Sequence, residues 1–278
     1  MGFVGNIHPS LETLDYTSTR VQLEIIGLSF LFFLGIYILS ASLAALTWTY
    51  RNLRLKEKIF WNLSVVRAVF GVYAVCSGAW ALWWDTEMIK DVVHATTPTS
   101  WFTNIVSIGF FLFECSAILF CDLYFRQGNM LLNLHHMLAL TGCVMVLRYR
   151  SIHYFWAIGV ALEMSTPFSA LCWILLKCGR ANTFLWKANQ YVLVHVFHCR
   201  SILETFLWIQ SFRHWENIWA HLPWPVFVMF FSELALVTFV MTPYWTYKKT
   251  EQLIIPRDWN FEDSEDNKRT NGSLKKED

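Results

Sequence analysis

The sequence predicts an all-α polytopic membrane protein that crosses the bilayer about seven times. Of its 278 residues, 55% are hydrophobic and only 15% are charged, whereas soluble domains carry about 25% charged residues. The mean hydropathy is +0.36. Apolar runs of about 20 residues, the length that crosses the hydrocarbon core, recur along the chain. This composition argues against a soluble enzyme, and the net charge of +1 argues against nucleic-acid binding.

Seven apolar runs define the predicted spans. They cover about 21–47, 60–84, 101–121, 129–147, 152–176, 184–210 and 223–247. The first, third and seventh are clearest by hydropathy, while the prediction of the others depends more on length and flanking residues. If the fourth and fifth runs form one re-entrant unit, the chain has six spans. Residues 1–19 contain no Lys or Arg, so we expect the first span to stay as an anchor rather than act as a signal peptide.

The distribution of Lys and Arg predicts the orientation. Most of them fall in segments that share one side of the membrane if there are seven spans, which places residues 1–20 in the lumen and the C-terminus in the cytosol. Arg148 and Arg150, in a short lumenal loop, go against this rule. Residues 263–278 are polar and are predicted to be disordered. They end in Lys275 and Lys276, whose spacing from the C-terminus matches a dilysine signal for retrieval to the endoplasmic reticulum (ER) by the COPI coat, although the two lysines could instead be simple solvated charges.

Ionisable side chains within the predicted spans are the strongest functional signal. Each costs a few kcal/mol on insertion scales and is a functional hypothesis by default. We expect them to face one another around a polar cavity, about 10 Å or more from the cytosolic helix ends. They are Arg67, Glu114, His135, His136, Glu163, His195, His198, Arg200, Glu204 and Glu233.

Helical spacing groups several of these residues. His195 and His198 share one helix face. Arg200 and Glu204 can pair along the same helix. His135 and His136 are about 100° apart on their helix, so we expect one to face the cavity and the other to bond a neighbouring helix.

A proline interrupts the fifth predicted span. Pro167 has no N–H to offer the carbonyl of Glu163 and should kink the helix there. The side chains of Ser165 and Thr166 can satisfy the freed carbonyl group.

Three kinds of site would fit this set of residues. A neutral His can act as nucleophile or general base in acyl transfer from a thioester, with Glu163 or Glu114 setting its tautomer. Four imidazoles could instead bind zinc or iron, but their spacing is loose evidence and we expect no metal and no tightly bound cofactor. Finally, the ionisable groups could serve only to hold the bundle together.

Several motifs in combination resemble the TLC homology domain, named for TRAM, Lag and CLN proteins. They are segment 58–71, Leu134-His135-His136 on the fourth span, and segments 163–168, 189–200, 242–245 and 256–260. The resemblance covers about residues 50–262. It implies a barrel of six helices, formed by spans two to seven, with the first span outside.

The resemblance also implies functions. In the ceramide synthase branch the paired His on the fourth span act in acyl transfer from acyl-CoA, and His135 and His136 occupy the matching positions. That branch continues the pair as H-H-x-x-T, whereas Ala139 stands at the Thr position here, which argues against ceramide synthesis itself. The resemblance further implies cycling between the ER and the ER–Golgi intermediate compartment, and a part in the export of lysosomal enzymes.

Two function classes follow. The first is a membrane acyltransferase that uses acyl-CoA as co-substrate and a membrane lipid as acceptor, with His135, His136, Glu163, His195 and His198 as catalytic candidates. Arg67, Glu114, Arg200 and Glu204 would then line or support the cavity. The second is a cargo receptor for lysosomal enzymes, or a lipid sensor, without chemistry of its own.

Overall fold

The computed structural model describes residues 9–126, 128–181 and 183–261. Seven of its helices are long and apolar enough to cross a membrane, which confirms the predicted number. We number them α1 to α7: Thr19–Ala44, Leu55–Trp83, Pro98–Phe125, Met130–Tyr149, His153–Lys177, Phe184–Arg213 and Trp224–Ile254. Short helices cover Pro9–Glu12, Trp48–Asn52, Thr86–Lys90 and Trp215–His221. The dilysine pair Lys275 and Lys276 lies outside the described residues.

Several of the helices are longer than predicted, α2 and α7 among them. Helix α2 begins at Leu55 rather than at residue 60, because Glu57 accepts a hydrogen bond from the backbone N–H of Arg54 (2.9 Å) and closes the first turn. Helix α7 continues to Ile254 through a π-helical turn at Val237–Met241. The first turn of α2 and the last turns of α7 are polar, so the apolar runs used to predict the spans end before the helices do.

Six helices form a closed ring around the interior. In order around the ring, α2 packs against α3, α3 against α4, α4 against α7, α7 against α6, α6 against α5, and α5 returns to α2. Helix α1 lies outside this ring, against α2 and α3. The predicted barrel of six helices with an external first helix is therefore confirmed.

Small residues allow the closest helix contacts. A Cβ atom added to Gly71 on α2 would lie only 2.8 Å from the carbonyl oxygen of Glu163 and from Cδ of Pro167 on α5. One added to Gly109 on α3 would lie 2.8 Å from the carbonyl oxygen of Ile26 on α1. In lipid the hydrophobic effect does not drive helices together, and van der Waals packing between closely spaced backbones contributes to their association instead. Gly71 therefore allows close packing of α2 against α5, and Gly109 allows close packing of α3 against α1.

Helix α5 is irregular where the sequence predicts a kink. Residues Ala161–Ser165 form a 3₁₀ turn directly before Pro167. The hydroxyl of Thr166 donates to the carbonyl of Glu163 (2.8 Å) and lies 3.0 Å from the carbonyl oxygen of Arg67 on α2. The predicted break is thus confirmed, and the freed carbonyl finds a side-chain donor as expected.

The two ends of the bundle differ in charge. Helices α2, α4 and α6 begin at the end where α3, α5 and α7 finish. We call it the basic end, because it carries Lys56, Lys58, Lys177, Lys248 and Lys249. The polar interior described below opens toward this end.

Candidate functional site

A polar cavity of about 170 Å³ lies within the helical ring, toward the basic end. Helices α2, α4, α5, α6 and α7 all contribute to its wall. Its ionisable lining residues are Arg67, His135, His136, Glu163, Arg200 and Lys249. Phe60, Asn129 and Trp245 also line a wider cavity of about 560 Å³ closer to the basic end, so that the two cavities adjoin. The predicted polar pocket among the helices is therefore present, with six ionisable side chains in its lining.

His135 and Glu163 pair across the cavity. Nε2 of His135 on α4 lies 3.4 Å from Oε1 of Glu163 in the 3₁₀ turn of α5. Both side chains are mostly buried, at 15% and 17% exposure. Nδ1 of His135 is shielded and has no hydrogen-bond partner among the described residues. Glu163 is thus placed to hold the Nε2–H tautomer, which leaves the lone pair of Nδ1 free.

His136 lines the same cavity but is more deeply buried. Its ring lies 6.0 Å from that of Phe111 on α3 and 5.3 Å from that of His135. The expectation that only one of the two neighbours would reach the cavity is wrong. The ring of helices is narrow at this level, so side chains about 100° apart on α4 both touch the interior.

Arg67 and Glu114 form a buried ion pair between α2 and α3. Nε of Arg67 donates to Oε1 of Glu114 (2.6 Å), and Nη2 donates to the same oxygen. Glu114 is fully buried, and its Oε2 has no hydrogen-bond partner among the described residues. Arg67 is twelve positions into α2, about 18 Å along the helix. This distance from the helix start agrees with the predicted depth of about 10 Å or more.

A second arginine, Arg200, is fixed by contacts with Ser165 and Glu204. Nη1 of Arg200 on α6 donates to the hydroxyl of Ser165 (3.2 Å), and its Nε lies 3.9 Å from Oε1 of Glu204. Glu204 in turn accepts a hydrogen bond from the hydroxyl of Thr242 on α7 (2.5 Å). The predicted pairing of Arg200 with Glu204 is present. Glu204 and Glu114 do not line the cavity themselves, but each anchors an arginine that does.

His195 and His198 do not join the cavity. Both side chains are exposed, on the face of α6 that points away from the buried residues Phe197 and Arg200. Nδ1 of His195 pairs with the carbonyl of Tyr191, and Nδ1 of His198 with the carbonyl of Val194, each at 2.8 Å. The expectation that they line the polar cavity is therefore wrong, because their shared helix face is the outer one.

An ionic cluster at the basic end was not predicted from the sequence. Nζ of Lys177, the last residue of α5, lies 2.5 Å from Oε1 of Glu57 and 2.5 Å from Oδ2 of Asp258. The indole N–H of Trp173 donates to Asp258 as well (3.0 Å). Segment 255–261 is thereby fixed across the mouth of the cavities, where Asn260 lines both. The signal in the sequence was Asp258 in motif 256–260, but nothing in the neighbouring sequence reveals its partner on α5.

The arrangement fits acid–base chemistry on an acyl group. It combines an oriented imidazole with two arginines that can stabilise an oxyanion, all on the wall of one cavity. Among residues 9–126, 128–181 and 183–261, no group of three or more metal-binding side chains converges.

Comparison with known proteins identifies relatives along most of the chain. The family profile of the TLC domain matches residues 60–250. "Protein CLN8" of Mus musculus is 40% identical over 271 residues, covering 95% of this chain and 94% of that protein. "Protein CLN8" of Homo sapiens is 37% identical, covering 97% of this chain and 95% of that protein. "TLC domain-containing protein 4-B" of Xenopus laevis is 26% identical over 194 residues, covering 69% of this chain and 70% of that protein.

No solved structure matches the chain. The matched region, residues 60–250, contains the paired His on α4 and almost all of the six helices that form the closed ring. The chain is therefore a multi-pass membrane protein that belongs to the TLC domain family.

Proposed function

We propose that this protein is a membrane acyltransferase that moves a fatty acyl group from acyl-CoA to a lipid acceptor within the polar cavity. The observation that carries the proposal is the pair formed by His135 and Glu163, whose nitrogen and oxygen lie 3.4 Å apart and which both line the polar cavity. A carboxylate that orients an imidazole is the arrangement used to activate hydroxyl nucleophiles. His136, which lies beside it, is the second candidate for the same role.

The chemical step assigns a role to each lining residue. Nδ1 of His135 takes the proton of the acceptor hydroxyl as its oxygen attacks the thioester carbonyl. Arg67 or Arg200 stabilises the negative charge that develops on the carbonyl oxygen. The carbon–sulfur bond then breaks, and the proton passes from the imidazole to the departing thiolate of CoA. Ester and free CoA are the products, so no further co-reactant is needed.

The basic end supports entry of acyl-CoA from that side. Lys56 and Lys248 line the wider cavity, and Lys249 lines the inner one. Nζ of Lys248 lies 3.8 Å from the ring centroid of Trp259. Positive charge at a cavity mouth raises the local concentration of an anionic substrate such as acyl-CoA, whose phosphates are negative.

Transfer of label tests the proposal. Purified protein in nanodiscs is incubated with radiolabelled long-chain acyl-CoA and separate lysolipid, glycerol-based and sphingoid acceptors. We expect label in one acceptor class, and a loss of at least 100-fold in the His135→Ala variant, because general base catalysis contributes that much. His195→Ala is the matched control, since His195 is exposed outside the cavity, and it should retain full activity.

The variants must also stay folded. Size-exclusion profiles and thermal stability should match those of the wild type, because His135 makes a single long hydrogen bond. Equal transfer by a folded His135→Ala protein would refute the assigned role. No transfer to any acceptor by folded wild-type protein would refute the acyltransferase proposal itself.

For location, we propose residence in the ER membrane with cycling to the ER–Golgi intermediate compartment and a cytosolic C-terminus. The support is the bias of Lys and Arg toward the basic end and the spacing of Lys275 and Lys276, which fits recognition by the COPI coat. Deletion of the last four residues should move the steady-state distribution from the ER toward the Golgi. An unchanged distribution would remove this support.

A non-enzymatic role is the second candidate, and the same C-terminal spacing favours it. A receptor that exports lysosomal enzymes from the ER needs retrieval of this kind, as does a lipid sensor that cycles with its membrane. Under this alternative, the His135→Ala variant would export lysosomal enzymes normally, whereas loss of Lys275 and Lys276 would slow their export.

A further inference from the structure

A separate cavity of about 260 Å³ lies at the end of the bundle opposite the basic end. Its walls come from the second half of α2, the first two turns of α3 and the segment before α1, with Met88 and Ala157 from the short helix Thr86–Lys90 and α5. It shares no lining residue with the two cavities at the basic end. The acyl-transfer proposal does not use it.

The described lining of this cavity is uncharged. Four aromatic side chains, from Tyr16, Tyr73, Trp80 and Phe102, supply most of its large surfaces. Hydroxyl groups line it from both helices, with Ser77 on α2 and Thr103 on α3 among them. A charged head group would find no counter-ion among these residues, so the lining favours a neutral ligand.

One polar atom in this cavity has no well-formed hydrogen bond. The phenol oxygen of Tyr73 is shielded from solvent, and the nearby hydroxyls of Thr103 and Ser77 make no hydrogen bond of normal geometry to it. The hydroxyl of Ser77 donates instead to the backbone carbonyl of Tyr73 (2.9 Å). Buried phenol groups normally find a hydrogen-bond partner. The cavity therefore offers a donor and acceptor to whatever fills it.

The cavity also has an edge that reaches the membrane. Cys76 lines it and is exposed on the outer surface of α2. The cavity volume of about 260 Å³ is slightly below the usual range for ligand pockets, about 300–1,000 Å³. It suits the head and the adjoining part of a lipid whose remainder stays in the bilayer.

We propose that this cavity binds an uncharged lipid that carries a hydroxyl group, with the phenol of Tyr73 as its hydrogen-bond partner. Sterols and monoacylglycerols both have this chemistry. The flat aromatic walls match the rigid rings of a sterol, which lose little conformational freedom on binding. The site is independent of acyl transfer, so its failure or success leaves the proposed function untouched.

Photo-crosslinking tests the site and separates the two sources of ligand. Wild-type protein in nanodiscs is irradiated with a clickable photoactivatable cholesterol or a matching monoacylglycerol, and labelled peptides are mapped. We expect label on peptides of α2 or α3 that line the cavity, competed by the unlabelled parent lipid and not by lysophosphatidylcholine. The probe that labels at the lower concentration identifies the source.

Two variants decide whether Tyr73 is the partner. Tyr73→Phe removes one oxygen and should weaken labelling about tenfold, the effect of one lost hydrogen bond. Ser77→Phe fills the cavity and should abolish labelling, while the exposed His195→Ala variant should label like the wild type. If Ser77→Phe misfolds, protection of Cys76 from a membrane-permeant maleimide by added lipid gives a second readout on the wild type. Labelling that is unchanged in Tyr73→Phe, or peptides that map elsewhere, would overturn the proposal and leave only water in the cavity.

Discussion

Removal of the Arg67 charge should strongly destabilise the helical ring. Glu114 is fully buried, and one of its oxygens already lacks a partner among the described residues. In Arg67→Met the second oxygen also loses its donors, so that α3 keeps an uncompensated carboxylate. Breaking a buried ion pair in this way costs about 3–5 kcal/mol.

The reciprocal variant should cost less. Arg67 is 15% exposed, toward the cavity, so in Glu114→Leu the guanidinium can still reach polar surroundings. The double variant Arg67→Met/Glu114→Leu removes both charges, and should come within about 2 kcal/mol of wild type because buried pairs can often be replaced by apolar residues. The expected order of cost is therefore Arg67→Met, then Glu114→Leu, then the double variant.

Unfolding in mixed micelles measures these differences. Titration with dodecyl sulfate, followed by Trp fluorescence, gives the free energy of unfolding for the four proteins, and the double-mutant cycle isolates the pair. If Arg67→Met and the double variant are equally stable, the two side chains are not coupled as described. Activity adds a separate readout, because the double variant should fold and yet show weaker acyl transfer, since one of the two arginines that line the cavity is gone.

Three further predictions test how the helices are held. Gly71→Ala should cost about 1–3 kcal/mol by overpacking α2 against α5, while Gly27→Ala, which has open space around it, should cost almost nothing in the same titration. Asp258→Asn should weaken the contact with Lys177 and release segment 255–261, seen as faster amide hydrogen exchange there, and unchanged exchange would argue against a fixed segment. Pro167→Ala should let α5 continue as a regular helix, move the 3₁₀ turn and lower acyl transfer several-fold; full activity would show that the break is not needed.

The number of spans and the break in α5 could be predicted because their causes are local. Each span needs only a run of apolar residues, and such runs are visible in the sequence. Pro167 removes a backbone donor wherever it stands in a helix, and Thr166 is adjacent to the freed carbonyl. These features depend on neighbours in the chain and not on the fold.

The orientation of α6 could not be predicted for a physical reason. In a soluble helix the polar face points to water, but in a membrane helix a histidine can face the interior or, when it pairs with a carbonyl of its own helix as His195 and His198 do, the outer surface. The spacing of His195 and His198 therefore shows that they share a face without showing which face it is. The cluster of Lys177 with Asp258 was missed because its members are 81 positions apart, with no pattern that links them.

The most direct test of the central claim is to locate the bound thioester. A photoactivatable, non-hydrolysable acyl-CoA analogue is crosslinked to the protein in nanodiscs, and the labelled peptides are identified by mass spectrometry. The account predicts label on α4 and α5 near His135 and Glu163, competed by acyl-CoA and weakened when Lys248 and Lys249 are both changed to Ala. Label confined to the outer surface of the ring, or to the cavity beside Tyr73, would contradict it.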